Sequence, residues 1–160
     1  MDHLSHSLLG DGRVTDKMVM GRVKHWPLFG NWIAFKVADL LERCAGVAVV
    51  FDPDLGLMYE EPAAGLRMLS TSFFSPGGES WSTNRWYGYL LTHFAQVKAP
   101  PALDRPCGPQ EVETVLCKWK SHVAGRYWVG KDIHEVRHGL HGWGATADRL
   151  LAACPEEVAR

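Results

Sequence analysis

The chain has no long apolar run, no excess of either charge and no clustered cysteines, and each absence removes a class of function. Its longest apolar stretch, Ala45 to Phe51 with Gly46 inside it, falls far short of the roughly 20 residues that span a bilayer, so no transmembrane helix and no membrane partner are expected. The opening Met1-Asp-His-Leu-Ser-His has neither the basic start nor the apolar core of a signal peptide, which makes the cytoplasm the expected compartment. Seventeen Lys and Arg against eighteen Asp and Glu leave a formal charge of -1, which excludes wholesale electrostatic binding of nucleic acid. Any grip on DNA must come from a local basic face. Cys44, Cys107, Cys117 and Cys154 match neither a zinc ribbon nor an iron–sulfur ligand run, so reduced structural thiols are expected.

What is present suits a packed core: 160 residues, 46% hydrophobic, with seven tryptophans. A single, mainly α domain over residues 1–160 is expected. Thr15 is placed to cap a short helix through Val23, and Ile33, Ala34, Val37, Leu40 and Leu41 recur at helical spacing from about Asn31 to Cys44. Gly46 then reads as the C-terminal glycine. Val47 to Phe51 reads as a short strand or buried extended segment, followed by turn chemistry in Asp52-Pro-Asp-Leu-Gly. Ser70 to Thr83 reads as a surface loop, and Trp86 to Gln96 as a helix. A further helix is predicted from Pro109 to Val123, with Val112, Val115, Leu116, Trp119 and Val123 toward the core and Glu113, Cys117 and Lys120 on the other side. Two more follow, Asp132 to His138 stopped by Gly139, and Ala145 to Ala153 before Pro155.

The densest motif is Trp26-Pro-Leu-Phe-Gly-Asn-Trp-Ile-Ala-Phe35, a tight hairpin running into a helix with Gly30 at the turn. Backbone N–H groups exposed at a helix start grip anions such as a DNA phosphate, which makes Gly30, Asn31, Trp32 and Lys36 the candidate DNA-binding residues. Against the general hairpin pattern Leu-Pro-Gly-Val-Gly followed by Thr-Ala, this stretch keeps Pro27, Gly30 and Ala34 and has Leu28 in place of the first glycine. From Gly30 onward it resembles the helix-hairpin-helix of base-excision DNA glycosylases. In that superfamily a catalytic Asp follows some twenty residues later, and Asp52 stands in that place, either as that carboxylate or as a turn aspartate before Pro53. The lysine nucleophile of bifunctional glycosylases would fall at Trp32, which argues against Schiff-base chemistry.

A longer resemblance lies in Trp32-Ile-Ala-Phe-Lys-Val-Ala-Asp-Leu-Leu-Glu-Arg43, Gln110-Glu-Val-Glu-Thr-Val-Leu-Cys-Lys-Trp-Lys-Ser-His122, Gly125-Arg-Tyr127 and Gly130-Lys-Asp-Ile133. Together these resemble the alpha-glutamyl/putrescinyl thymine pyrophosphorylase families of bacteriophages, DNA-glycosylase-like enzymes of thymine hypermodification. The resemblance implies a DNA-glycosylase-like helical domain with its hairpin element at about 24–44 and its catalytic segment at about 109–140. It implies a transferase that replaces the phosphate or pyrophosphate of an activated 5-hydroxymethyluracil in DNA with an amine or amino acid. The partners implied are DNA carrying the activated base, the small amine and a hydroxymethyluracil kinase acting upstream, in the host cytoplasm if phage-encoded, with no cofactor expected.

Such a site needs cations for the leaving phosphate, a base for the incoming amine and an apolar wall for a base flipped out of the duplex. Lys118, Lys120, Arg126 and Lys131 are candidates for the first role, and His122 can exchange a proton near neutral pH. Glu113 is a base or a surface partner of Lys120, and Asp132 is catalytic or a helix cap. Cys117, next to Lys118 and three residues before Lys120, would have a lowered thiol pKa if exposed. Two other readings compete: a non-catalytic helix-hairpin-helix DNA-binding module, and a zinc hydrolase using His134-Glu-Val-Arg-His138, with His134 and His138 as ligands and His141 as a third. Only about 25 residues precede the hairpin, where glycosylase-like domains place several helices, so the chain reads as a compact variant, a fragment or one half of a complex.

Overall fold

The computed structural model describes residues 14–53, 59–72, 78–99 and 104–154. Over these the chain is mainly helical. In order come β1 (Val14–Thr15), α1 (Asp16–Val23), α2 (Asn31–Ala45), β2 (Val49–Val50), α3 (Glu60–Ser72), α4 (Thr83–Phe94), α5 (Pro109–Val123), α6 (Lys131–Leu140) and α7 (Ala145–Ala153). The chain divides into two compact units, Met1–Lys120 and Ser121–Arg160.

In the first unit, β1 and β2 pair in parallel, Val14 beside Val49 and Thr15 beside Val50. Thr15 caps α1 by accepting the Met18 N–H at 3.3 Å, and Gly46 ends α2 in the left-handed conformation at φ 67°. The predicted cap and terminal glycine therefore stand as read. One apolar cluster joins α1, α2 and the strands through Val19, Met20, Val23, Ala34, Phe35, Ala38, Val49 and Phe51. A second joins α3, α4 and α5 through Leu66, Trp86, Tyr87, Val112 and Leu116.

Three expectations change. No helix was predicted over α3, whose Pro62 and Gly65 suggest a break; Pro62 instead sits in the first turn, where the N–H it lacks has no intrahelical acceptor. The loop expected from Ser70 therefore starts after Ser72, and residues 73–77 of it lie outside the described residues, as do 54–56 of the turn after Asp52. On α5 the faces differ from the predicted ones: Gln110, Glu111, Val112, Glu113 and Leu116 are buried, while Val115 and Val123 are 42% and 50% exposed. α6 runs through Gly139 to Leu140 rather than stopping at His138.

The turn between α1 and α2 also differs in detail. Gly30 is an extended N-cap at φ -83°, and the left-handed residue is Leu28, at φ 70° and 96% exposed. Leu28 occupies the place where the hairpin pattern has its first glycine, so the pattern's glycine marks a backbone requirement that this leucine meets at a cost of about 1–2 kcal/mol. Leu28→Gly removes that strain and loses some of the gain to the freer unfolded chain. The expected outcome is a net stabilisation of about 1 kcal/mol, read from the midpoint of urea denaturation. A lower midpoint would mean that the leucine side chain contributes to the fold despite its exposure.

Candidate active site

The centre of the first unit's polar chemistry is Glu113, whose residue is 1% exposed on the inner face of α5. Isolated burial of a carboxylate is costly, so its donors matter. Lys36 on α2 pairs with Glu113 Oε2 at 2.7 Å, the Thr114 hydroxyl donates to the same oxygen at 3.1 Å, and the Tyr59 hydroxyl donates to Oε1. The Cys117 thiol lies 3.5 Å from Oε1 and 3.6 Å from the Tyr59 oxygen. Four side chains from three segments thus converge on one carboxylate.

Burial and the Glu113 hydrogen bond push the Tyr59 hydroxyl far above its usual range, so it remains a donor. Burial likewise pushes the Cys117 thiol up to about 11, with the Glu113 charge adding to it. This reverses the lowered pKa expected from Lys118 and Lys120. At about pH 8, Cys117 should carry roughly a hundredth of the thiolate of an ordinary thiol, so iodoacetamide should label exposed Cys44 and leave Cys117 unmodified in the folded protein. Peptide mass spectrometry checks this; equal labelling of the two would contradict the burial argument.

Beside this cluster, a second network ties α2 to the start of α5. Arg105 grips Glu42 in a fork, Nε to Oε1 and Nη2 to Oε2, both at 2.6 Å, and reaches Glu111 at 3.1 Å. Arg43 bonds Asp39 at 2.7 Å and also Glu111, while Gln110 donates to Glu42 at 2.8 Å. Burial alone would raise the Glu111 carboxyl, but Arg105, the Gly108 N–H at 2.7 Å and Arg43 together hold it below its ordinary value.

A cavity of about 530 Å³ opens beside both networks, lined by apolar Phe94, Val97 and Val115 and by charged Arg43 and Glu111. Thr114 also lines it, and the Thr114 hydroxyl is 3.5 Å from Lys36 Nζ. One lining residue of the cavity thus bonds Glu113.

The predicted site residues separate into several places. Lys36, assigned to DNA, and Glu113, assigned to chemistry, are one ion pair. Lys120 pairs with Glu61 on α3 rather than with Glu113. Asp52 pairs with Lys17 at 2.6 Å, at the carboxyl ends of the two strands. Its neighbour Phe51 packs edge-on against Phe35 at 5.5 Å, and Phe35 against Tyr59 at 6.3 Å, so an aromatic row leads from Asp52 to the Glu113 cluster. Asn31 and Trp32 are exposed at the α2 N-terminus, and Lys118 is half-buried on α5.

In the second unit, His122 Nδ1 meets the Tyr127 carbonyl at 3.0 Å, the Tyr127 hydroxyl donates to Asp132 at 3.3 Å, and Lys131 donates to the Arg126 carbonyl at 3.0 Å. The His134 and His138 rings lie tilted to one another with centroids 4.1 Å apart, and Trp128 meets His134 edge-on at 5.4 Å. Among the described residues no group of three His, Cys, Asp or Glu side chains is placed to hold a metal.

Reading residues alone missed Tyr59, Asp16, Glu42, Arg43, Arg105 and Glu111. A usable signal existed for the α2 members: Lys36, Asp39, Glu42 and Arg43 recur at helical spacing opposite the apolar stripe, with mixed charge suited to another helix. Tyr59 stands outside any periodic segment and carries no such mark.

Comparison with known proteins adds a family. The profile described as "Amino acid:DNA transferase" matches residues 11–127. The chain is 38% identical to a glycinyltransferase of Pseudomonas phage PaMx11 over 157 residues, covering 86% of this chain and 54% of that one. It is 30% identical to a putrescinyltransferase of Delftia phage PhiW-14 over 139 residues, covering 84% of this chain and 45% of that one. The chain thus spans about half the length of the curated relatives it matches. The matched region takes in both strands, the α1–α2 turn and every residue around Glu113, and the chain belongs to the amino acid:DNA transferase family.

Proposed function

We propose that this chain carries the site of a DNA base-modifying transferase, which replaces the phosphate or pyrophosphate of an activated 5-hydroxymethyluracil with an aliphatic amine or amino acid. Family membership supports the reaction class, and the names of the two phage relatives support glycine or putrescine as the kind of co-substrate. The observation that carries the reading is the 530 Å³ cavity lined by Phe94, Val97, Val115 and Thr114, whose hydroxyl bonds Glu113 and lies 3.5 Å from Lys36 Nζ.

In this reading the flipped base lies against Phe94, Val97 and Val115, with Lys36 near the leaving group. The C–O bond to phosphate breaks with its electron pair leaving on oxygen, the amine nitrogen forms the new C–N bond, and the proton the nitrogen loses passes to the departing phosphate. Glu113 is too buried to meet substrate; it positions Lys36 and Tyr59. The α1–α2 turn acts as the helix-hairpin-helix contact to the DNA backbone, through the N–H groups at Gly30, Asn31 and Trp32.

Nucleoside mass spectrometry tests the reading. DNA containing 5-hydroxymethyluracil is incubated with a hydroxymethyluracil kinase, the protein and either glycine or putrescine. The expected result is a new nucleoside carrying one amine, lost in Lys36→Ala with DNA binding retained. An unchanged nucleoside profile beside intact DNA binding would favour a non-catalytic DNA-binding module instead.

A further inference from the structure

The cavity beside the Glu113 cluster carries charges that an uncharged base does not use. Asp39, Arg43, Lys98 and Glu111 line it together with the apolar side chains. Two carboxylates and two cations sum to zero, which suits a ligand that itself carries one charge of each sign. A diamine has two positive charges and no negative one, so it leaves Lys98 without a match.

Two of the four charges are occupied by the network described above. Glu111 accepts from Arg105, Arg43 and the Gly108 N–H, and Arg43 spans Glu111 and Asp39. Asp39 differs. Its Oδ1 accepts from Arg43 Nε at 2.7 Å, whereas its Oδ2 has no hydrogen-bond partner among the described residues and stays accessible to solvent. The side chain keeps 11% of its exposure in the cavity lining, so an ammonium there meets an acceptor it can reach.

Lys98 supplies the opposite charge. An antiparallel bridge pairs it with Pro106, and the neighbouring Cys107 N–H donates to the Val97 carbonyl at 2.7 Å and the Ala99 N–H to the Arg105 carbonyl at 3.0 Å, so its backbone is held beside the cavity. Its partner Asp104, at 2.8 Å, is exposed, as is the lysine itself; a pair so open to water is worth little and yields to a competing carboxylate.

We propose that Asp39 and Lys98 bind the two ends of a zwitterionic α-amino acid, its ammonium on Asp39 Oδ2 and its carboxylate on Lys98 Nζ, so that the co-substrate is an amino acid rather than a diamine. This rests on the transferase reading above. The flexible stem of Lys98 lets its cation follow the carboxylate. Lys36 and Asp39 stand three residues apart on α2, which puts their side chains on one face with Cβ atoms about 5–6 Å apart. The bound nitrogen therefore lies one turn from the lysine placed near the leaving group, in the same cavity as the base. Held there, it gives up the one proton that passes to the phosphate and attacks with the electron pair this frees.

Steady-state kinetics of the full chain on kinase-activated 5-hydroxymethyluracil DNA test the assignment, with products read by nucleoside mass spectrometry and glycine, glycinamide and putrescine as the amines. Glycinamide keeps the size and amino group of glycine but has no carboxylate. The expected result is transfer of glycine by the wild type with a KM about tenfold or more below those of the other two. Lys98→Met should raise the KM for glycine about tenfold and leave those for glycinamide and putrescine unchanged, whereas Asp39→Asn, which keeps an oxygen for Arg43, should raise all three. Should Asp39→Asn fail to fold, as thermal melting would show, Lys98→Met carries the test from an exposed position. A wild-type KM for glycine in Lys98→Met, or an equal rise for all three amines in that variant, overturns the amino-acid site and leaves the transferase reading standing. Absence of any modified nucleoside with every amine removes the transferase reading itself.

Discussion

Gly65→Ala is expected to destabilise the protein by about 3 kcal/mol or more, although alanine is the better helix former. A Cβ built at Gly65 on α3 would sit 2.4 Å from the Leu116 carbonyl oxygen and 3.0 Å from its carbon on α5. Those are backbone atoms, so no side-chain rotation relieves the overlap and the helices must move apart. Their separation disturbs the packing of Leu66, Val112 and Leu116, which are all at most 1% exposed. Gly88→Ala on α4 is the matched control, since a Cβ there meets nothing within 4 Å. It should stabilise the fold by about 0.5–1 kcal/mol through helix propensity alone. Urea denaturation of the two variants should therefore move the midpoint in opposite directions, and an unchanged midpoint for Gly65→Ala would show that α3 and α5 yield easily.

Glu111→Ala should cost about 3–5 kcal/mol, the usual penalty for leaving a buried partner charge unmatched. Two guanidiniums lose an acceptor at once, because both Arg43 and Arg105 bond Glu111. Side-chain exposures of 17% for Arg43 and 26% for Arg105 leave limited room for water to replace it. The Gly108 N–H at the head of α5 also loses its acceptor. The same group sets a pH dependence. The folded-state pKa of Glu111 is lowered, so its stabilisation is present above the ordinary carboxyl value of 4.5 and is lost as pH falls through the folded value. Wild-type stability should drop more steeply below about pH 4.5 than that of Glu111→Gln, measured by urea titrations at several pH values. Parallel curves would assign the acid sensitivity elsewhere.

The fate of individual residues shows what a sequence of this kind reveals. α2 and α5 were legible because a strong apolar period, Pro109 and Gly46 all mark the same boundaries. α3 was not, because Pro62 and Gly65 read as breakers when one occupies a free first turn and the other permits a close helix approach. β1 was hidden because a two-residue strand has no period of its own, and its partner lies far along the chain. Glu113 stood out in the sequence as an acid close to lysines, but its partners were not legible. The apolar period of α5 pointed Glu113 outward, whereas Lys36 and Tyr59, each distant in sequence, compensate its burial. A turn ahead of α2 was legible from Pro27 and Gly30, yet only the backbone shows that its demanding position belongs to Leu28.

The seam between α2 and α5 has a further consequence for how the molecule comes apart. The two apolar clusters meet there across Lys36–Glu113, Arg43–Glu111 and Glu42–Arg105, so the junction is ionic while each side is oily. Ionic joints loosen with protonation of the carboxylates, conditions that spare apolar packing. As the pH falls below 4.5 and Glu111 loses its charge, the strands with α1 and α2 should therefore behave as one cooperative folding unit and α3 to α5 as another. Amide hydrogen exchange would then show two protection levels where neutral solution shows one.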